Sequence, residues 1–152
     1  MKMKNNRHNL RGAGGHTVDN ACASCGSAMK PTRRRVRLPI NGEQITVRDV
    51  AHLRCPRCGE GLFTLAEARL LFRSAQALYR RKHRLLAATE IGALRRELGL
   101  SAAALARALR VNKDLVSRWE TERAVQSVAY DALLRVVRDV PGSLDYLRSR
   151  AA

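Results

Sequence analysis

Residues 101–120, SAAALARALRVNKDLVSRWE, decide the fold of the C-terminal half of the chain. Apolar residues recur there at helical spacing in two short runs, which are separated by little more than Arg110 and Val111. Ser101 and Asn112 stand where the N-caps of two helices are expected. A connection this short forces consecutive helices into a sharp crossing, so the segment predicts a helix-turn-helix.

The apolar residues of this segment are expected to form one core with the helices on either side. Ala106 is small, and a small side chain there lets the second helix of the pair come close. The expected core consists of Leu94, Leu98, Leu105, Ala106, Leu109, Val111, Val116, Trp119, Leu133, Leu134 and Val137.

Polar residues occupy the outer face of the second helix, at the spacing i, i+1, i+4 and i+5. They are Lys113, Asp114, Ser117 and Arg118. A recognition helix presents such a set to base edges: arginine can bond guanine through two hydrogen bonds, and aspartate can accept from cytosine. Ser101 and Asn112, at helix N-termini, suit contacts with phosphates. These six residues are the candidate DNA-binding residues.

Helical spacing and capping signals divide residues 89–152 into five short helices. The expected ranges are 90–98, 102–109, 113–120, 128–139 and 143–150. Thr89 and Ser127 are expected N-caps, and Gly99 is an expected stop. Pro141-Gly142 breaks the chain before the last helix.

The cysteines form two Cys-x-x-Cys pairs, Cys22/Cys25 and Cys55/Cys58. Without a recognisable secretory signal, such pairs indicate a four-cysteine zinc site, because two intervening residues point both sulfurs at one ion. Gly26 and Gly59 follow the pairs and favour the positive φ that closes each turn. Four thiolates leave no open coordination position, so the zinc is expected to be structural; a redox dithiol is the alternative for either pair alone.

Residues 35–48 between the pairs alternate in polarity around Asn41-Gly42, which suits a type I′ hairpin turn. A two-residue turn there places Leu38 opposite Ile45 and Val36 opposite Val47 on one face, leaving the other face to Arg35, Arg37, Thr46 and Arg48. The histidines show no ligand spacing relative to the cysteines and are interpreted as solvated residues: His8, His16, His52 and His83.

Residues 65–86 predict a helix with an apolar stripe formed by Leu65, Ala68, Leu71, Phe72, Ala75, Leu78 and Tyr79. The stripe can pack on the hairpin or pair with a second copy of the chain. The helix ends in a basic run at residues 80–84. That run complements the helix dipole or contacts phosphates.

The chain is strongly basic, with a formal net charge of +16 and a pI of about 11.2. Residues 1–88 carry 18 Lys and Arg against 5 Asp and Glu, whereas residues 89–152 carry 11 against 8. Such a balance favours a polyanionic partner. No apolar run approaches the roughly 18 residues of a membrane span, and no basic amphipathic segment favours a membrane surface. Residues 1–20 are basic and Gly-rich without an apolar core, which predicts a flexible arm and a cytoplasmic protein.

Several motifs in this order carry a resemblance to known families. Residues 101–120, with Leu105-Ala106 and residues 116–120 (VSRWE), resemble the helix-turn-helix of the XRE family of phage-repressor-like proteins, although Arg110 stands where that family often has Gly. Together with the two cysteine pairs and the Asn41-Gly42 hairpin upstream, the chain resembles the MqsA-type antitoxins over about residues 20–150.

The resemblance implies that Cys22, Cys25, Cys55 and Cys58 hold structural zinc and that residues around Asp114, Ser117 and Arg118 contact an operator. It also implies a homodimer, autorepression of an operon and a zinc-binding half that neutralises a cognate toxin. The residues expected to form the dimer surface, unless they pack in the core, are those around residues 128–137 together with Leu144, Tyr146 and Leu147.

The expected fold is mainly α with a small β-hairpin zinc module and a C-terminal five-helix domain of XRE type. The expected parts are a basic arm (1–20), a zinc-binding hairpin domain (21–64), a connecting helix (65–88) and a helix-turn-helix DNA-binding domain (89–152).

Three functions are compatible with these features. The first is an autorepressing antitoxin that binds double-stranded operator DNA. The second is a stand-alone regulator of phage, plasmid or defence genes that binds no toxin and in which the basic arm and the zinc hairpin add DNA contacts. The third, a zinc hydrolase or nuclease, is disfavoured because four thiolates fill the zinc and the 13 carboxylates form no acid/base cluster. We therefore expect a protein that is not an enzyme.

Overall fold

The computed structural model describes residues 20–150. Of the predicted arm, only Asn20 is among them, and His8 and His16 lie outside the described residues. A three-stranded antiparallel sheet in the order β1-β2-β3 is followed within this range by six helices. The strands are β1 (Lys30–Ile40), β2 (Glu43–Arg54) and β3 (Gly61–Leu62). The helices are α1 (Leu65–His83), α2 (Ala88–Glu97), α3 (Ala102–Ala108), α4 (Leu115–Glu120), α5 (Val128–Asp139) and α6 (Ser143–Ser149). A small sheet joined to a largely helical C-terminal half is the mixed fold that the sequence predicts.

The hairpin has the predicted turn and register. Asn41 and Gly42 both have positive φ, at 47° and 83°, and Val36 pairs with Val47. The predicted inner-face residues are buried and the predicted outer-face residues are exposed. The strands are longer than the predicted 35–48, because pairing resumes beyond an irregularity between Arg34 and Val36. The added length carries the hairpin to the cysteines.

Helix α1 packs its apolar stripe on the inner face of the hairpin. Of the two predicted partners for this stripe, the hairpin and a second copy of the chain, the structure shows the hairpin. Leu71, Ala75 and Tyr79 are buried against the hairpin core. Leu65 and Phe72, which the sequence also assigns to the stripe, remain 68% and 36% exposed. The helix ends at His83 rather than near residue 86, because the next residue adopts the left-handed conformation with φ 53°.

The five C-terminal helices occur as expected, but two of them begin elsewhere. Helix α2 begins at Ala88 rather than after Thr89, because the Glu90 carboxylate accepts from the Ala87 N–H at 2.6 Å and supplies the cap from inside the helix. Helix α4 begins only at Leu115, since the Asn112 side chain accepts from Asp114 N–H at 3.0 Å and holds the preceding residues in a turn. None of the helices between residues 20 and 150 has the length and apolar character of a membrane span.

The predicted C-terminal core is confirmed. Trp119, Leu105 and Val116 are among its fully buried side chains, and Ala106 is also fully buried. Three predicted members are only partly buried against this core: Leu98, Val111 and Leu133. The turn after α3 is made without glycine, because Arg110 adopts a φ of 54° and Val111 N–H bonds Ala106 O at 3.0 Å.

The hairpin and the C-terminal helices meet at the segment that follows α4. The Asn41 side chain at the hairpin tip donates to the carbonyls of Val125 and Gln126 at 3.3 and 3.2 Å. Val125 is buried in the same cluster as the hairpin and α1. The hairpin tip therefore lies directly against the chain that leaves α4.

A buried polar network strengthens this junction. Asp131 accepts from the Leu86 N–H at 2.7 Å, from the Gln126 amide at 3.1 Å and from Arg135 at 2.7 Å. The Gln126 amide also donates to Leu86 O at 2.7 Å. The network ties the segment after α1 to the segment before α5 and to α5 itself.

Two histidines do not match the solvated interpretation. His52 is buried, stacks on Phe63 with ring centroids 4.8 Å apart, and has Nδ1 2.9 Å from Val50 O. His83 is half-buried, with Nε2 2.7 Å from a carboxylate oxygen of Glu43. Both contacts depend on how strands and α1 pack, which residue spacing does not reveal.

Candidate metal centre and candidate DNA-reading surface

The four cysteine sulfurs lie together at the end of the hairpin away from its turn. All four Sγ atoms are within 4.8 Å of one another, and the Cys22–Cys58 and Cys25–Cys55 pairs are each 3.4 Å apart. Sulfurs placed about 2.3 Å from a tetrahedral ion are separated by about 3.8 Å. All four cysteines are free thiols. The donor set and its size therefore fit a single metal ion held by four cysteines.

Each cysteine pair is built as the same tight turn. Gly26 N–H bonds Cys22 O at 2.8 Å, and Gly59 N–H bonds Cys55 O at 3.0 Å. Both glycines have the predicted positive φ, at 72° and 78°. Each turn presents two sulfurs to the same cluster, and two such pairs supply the four ligands of a tetrahedral site.

Hydrogen bonds and burial shift the pKa values of Cys55 and Cys58 in opposite directions. Hydrogen bonding, led by the Cys58 backbone N–H, lowers the pKa of Cys55 to about 6. The Glu60 backbone N–H acts to lower the pKa of Cys58, but the hydrogen bond with Cys22 and desolvation outweigh it and raise the pKa to about 12. A cluster of this kind cannot hold four thiolates unless a cation offsets their charge.

The cluster is partly shielded from water. Cys22, Cys55 and Met29 are buried together, with Leu53 packed against them, whereas Cys58 is exposed. Such shielding strengthens metal–thiolate bonding and slows exchange of the ion. The position of the cluster at the end of two strands suits a structural role.

The six candidate DNA-binding residues are all exposed. Ser117 and Arg118 lie on α4, between the buried residues Val116 and Trp119 in the sequence. The sequence places Lys113 and Asp114 in the first turn of the second helix. In the structure they lie in the turn before α4, which begins at Leu115. Four of the six candidate residues therefore lie close together in the sequence, two in the turn before α4 and two on α4 itself.

Ser101 and Asn112 are already used as local caps. Ser101 Oγ accepts from Ala104 N–H at 3.1 Å, and Asn112 Oδ1 accepts from Asp114 N–H. The Ser101 hydroxyl hydrogen and the Asn112 amide group keep a donor for an anion such as a phosphate. Ser101 is the N-cap of α3, whereas the other five candidate residues lie on α4 or in the turn before it.

An ion pair that the sequence reasoning missed holds α4 against α2. Arg95 donates to both carboxylate oxygens of Glu120 at 2.6 and 3.1 Å, and to Leu100 O at 2.8 Å. Hydrogen bonding to Glu120 raises the pKa of Arg95. Both side chains are more than four-fifths buried. No local sequence signal pairs them, because the contact joins helices 25 residues apart.

The described residues therefore combine a cluster of four cysteines at the end of a hairpin with a helical unit that carries exposed polar residues. The model of the family described as the antitoxin component of bacterial toxin–antitoxin systems, MqsA, matches residues 20–148, so the chain belongs to that family. This confirms the MqsA-type resemblance. The family is regulatory and non-enzymatic. A search of the curated proteins found no match to the chain.

Proposed function

We propose that this antitoxin-family protein binds an operator, represses its own operon and neutralises a cognate toxin. Family membership supports the antitoxin role. The observation that carries the DNA-binding role is the set of exposed polar side chains at residues 113, 114, 117 and 118, which is backed by the buried Val116 and Trp119. Backing of this kind holds exposed side chains in one geometry, which base recognition requires.

In this proposal α3 and α4 are an XRE-type helix-turn-helix, and α4 is the recognition helix. The two helices are in contact, and the turn between them is closed by a backbone hydrogen bond to Ala106. Arg118 bonds guanine and Asp114 accepts from cytosine, while Ser117 contacts base edges beside them. Ser101, Asn112 and Lys113 position the helix on phosphates.

The proposed assembly is a homodimer through α5. Helix α5 exposes Val128 and Val136, at 48% and 43%, and Val140 directly after the helix is 50% exposed. Tyr146 on α6 is 61% exposed. The other apolar residues considered for the dimer surface lie in or against the C-terminal core: Leu133, Leu134, Val137, Leu144 and Leu147. A second copy that covers the exposed stripe would place two α4 helices on half-sites about one helical turn apart.

The proposed metal is structural Zn²⁺ held by Cys22, Cys25, Cys55 and Cys58. Four sulfur ligands favour zinc over hard cations such as Mg²⁺ or Ca²⁺. The proposed parts are the zinc-binding hairpin domain (21–64), the connecting helix (65–88) and the DNA-binding domain (89–152), in a cytoplasmic protein.

Operator binding is tested by measuring the affinity of the purified chain for duplexes from the region upstream of its own gene. We expect the affinity for a site in that region to exceed the affinity for a shuffled duplex by about 10³-fold or more. Equal affinity for both duplexes across a range of ionic strengths would refute sequence-specific repression.

Toxin binding is tested by co-expression with the gene next to it in the operon. We expect a stable complex on co-purification and rescue of cells from a toxic neighbour. The alternative is the stand-alone regulator, which the basic hairpin would favour if the toxin is itself basic, because like charges weaken an interface. Operator binding without complex formation or rescue would support that alternative.

A further inference from the structure

A cleft lies between helix α1 and the turn that follows α4. Its volume is about 260 Å³, and its lining residues are Arg73, Ser74, Gln76, Ala77, Arg80 and Glu122. All of them except Glu122 belong to one side of α1, because they recur at helical spacing. Glu122 forms the opposite wall, two residues beyond the end of α4. The volume is below the roughly 300 to 1,000 Å³ of pockets for drug-sized molecules, so the cleft suits a small ligand.

Arg80 brings a nearly buried and poorly paired cation to this cleft. Its side chain is only 15% exposed. Nη1 lies 3.5 Å from a carboxylate oxygen of Glu122, which is longer than the roughly 2.7 to 2.9 Å of a strong charge-assisted hydrogen bond. Nε and Nη2 are buried and have no hydrogen-bond partner among residues 20–150. Because an unpaired buried cation is unfavourable, an anion that bonds these two atoms would stabilise this part of the protein.

The unpartnered edge of Arg80 has the geometry that recognises an oxyanion. Nε–H and Nη2–H lie side by side in the guanidinium plane and match two oxygens of one phosphate or carboxylate. Glu122 approaches Nη1 instead, and its own side chain is 60% exposed. Since Nε and Nη2 are shielded from solvent, an incoming anion requires the guanidinium to turn toward the cleft. The long contact with the exposed Glu122 opposes such a turn only weakly.

A second cation and two polar side chains line the same cleft. Arg73 is exposed and forms no ion pair within the part of the chain that the structure describes. Ser74 and Gln76 are half-buried, and the Gln76 amide donates to Arg123 O at 3.5 Å. Two arginines and one glutamate leave the lining with a net charge of +1. The cleft therefore attracts an anion and offers it guanidinium, amide and hydroxyl donors.

We propose that this cleft binds a small oxyanion, either free phosphate or the carboxylate of a small molecule. Arg80 holds the anion through its Nε–Nη2 edge, Arg73 adds a second positive charge, and Glu122 competes with the anion for Arg80. The walls of the cleft are α1 and the turn after α4, so the bound anion joins the hairpin and α1 to the C-terminal helices. The proposal is independent of the proposed operator and toxin binding.

The test is a titration of the full-length chain with inorganic phosphate at constant ionic strength, followed by the NMR signals of the arginine Nε–H groups. We expect saturable binding that shifts the Arg80 signal. Arg80→Gln should weaken binding by about 10- to 100-fold, because hydrogen bonds between charged groups are lost. Arg81→Gln is the matched control, since Arg81 is the next residue of α1, is exposed and does not line the cleft. It should change the affinity by less than about 2-fold, because solvent and salt screen its charge.

The change Glu122→Gln gives a second test that does not depend on a loss of binding. It should tighten phosphate binding by about 3- to 10-fold, because the carboxylate that competes for Arg80 and repels the anion is removed. A damaged fold would not produce such a gain. Titration with succinate in place of phosphate distinguishes the two ligand sources: the natural ligand carries the group that binds more tightly.

Three outcomes would overturn the proposal. The first is an equal loss of phosphate affinity in Arg80→Gln and Arg81→Gln, which would show diffuse charge attraction. The second is an unchanged or weakened affinity in Glu122→Gln, which would place the anion outside the cleft. The third is an absence of phosphate and succinate binding together with a lower salt dependence of DNA binding in Arg80→Gln, which would assign Arg80 to the DNA backbone.

Discussion

Base recognition depends on single side chains whose surroundings the protein has made rigid. Arg118 is exposed on α4 next to the buried Trp119, whose ring contacts Tyr130 with centroids 5.6 Å apart. The pair formed by Arg95 and Glu120 holds the end of the same helix. Arg118 therefore has an exposed guanidinium on a constrained backbone, which would reduce the entropy lost in the proposed contact with a base.

Replacing Arg118 with alanine should weaken binding to the preferred site by about 1 to 3 kcal/mol and relax the preference at one base pair per half-site. The reason is that a guanidinium bonded to guanine discriminates against the other bases. Binding to single-base-pair variants of the site measures the effect. Arg123→Ala, at an exposed residue after α4, serves as the control. A uniform loss over all sequences would show that Arg118 contacts only phosphate.

At the scale of elements, the hairpin is stabilised at its two ends by different means. Near the turn, Val36, Leu38, Ile45 and Val47 share an apolar core with α1. Near the cysteines, the small cluster of Cys22, Cys55 and Met29 has little apolar area. The metal is therefore expected to matter most at the cysteine end, where burial alone is insufficient.

Removal of the metal by a chelator, or the change Cys22→Ser, should abolish protection from amide hydrogen exchange in residues 21–29 and 55–61. Protection in residues 36–47 should persist, because the core shared with α1 does not include the cysteines. The change Ser24→Ala, at an exposed residue between two ligands, should leave both regions protected. Simultaneous loss of protection in all regions would show that the hairpin has no stability independent of the metal.

At the scale of the whole molecule, a small set of polar contacts sets how the hairpin and the C-terminal helices are oriented. Asp131 is buried and accepts from the backbone after α1 and from Gln126. Gln126 is fully buried, and its backbone carbonyl also accepts from Asn41 at the hairpin tip. Because these groups are buried, breaking one bond leaves a partner unsatisfied, which makes the relative orientation costly to change.

Replacing Asp131 with alanine should lower the free energy of unfolding by about 1 to 3 kcal/mol, because the buried Leu86 N–H loses its acceptor. Denaturant unfolding measures the change. Asp139→Ala is the matched control, because its carboxylate pairs with Arg138 but is 57% exposed, and its loss should cost less than about 1 kcal/mol. Equal effects of the two changes would show that the network does not hold the junction.

The sequence by itself determined the features that depend on neighbouring residues. The register set by Asn41-Gly42, the glycine turns after each cysteine pair and the caps at Ser101 and Ser127 follow from local turn and capping chemistry. Most of the C-terminal core followed from helical spacing, but its members Leu86, Ile91 and Leu100 were not predicted. The order of the motifs identified the family.

Only the tertiary structure decided which distant groups meet. The Arg95–Glu120 pair, the Asp131 network and the burial of His52 join residues with no local pattern in common. The start of α4 was also misplaced by two residues, because residues 112–115 form a turn closed by the Leu115 N–H and the Asn112 carbonyl before the helix begins. Periodicity reports which face of an element is apolar, but the element that covers that face is chosen by packing over the whole chain.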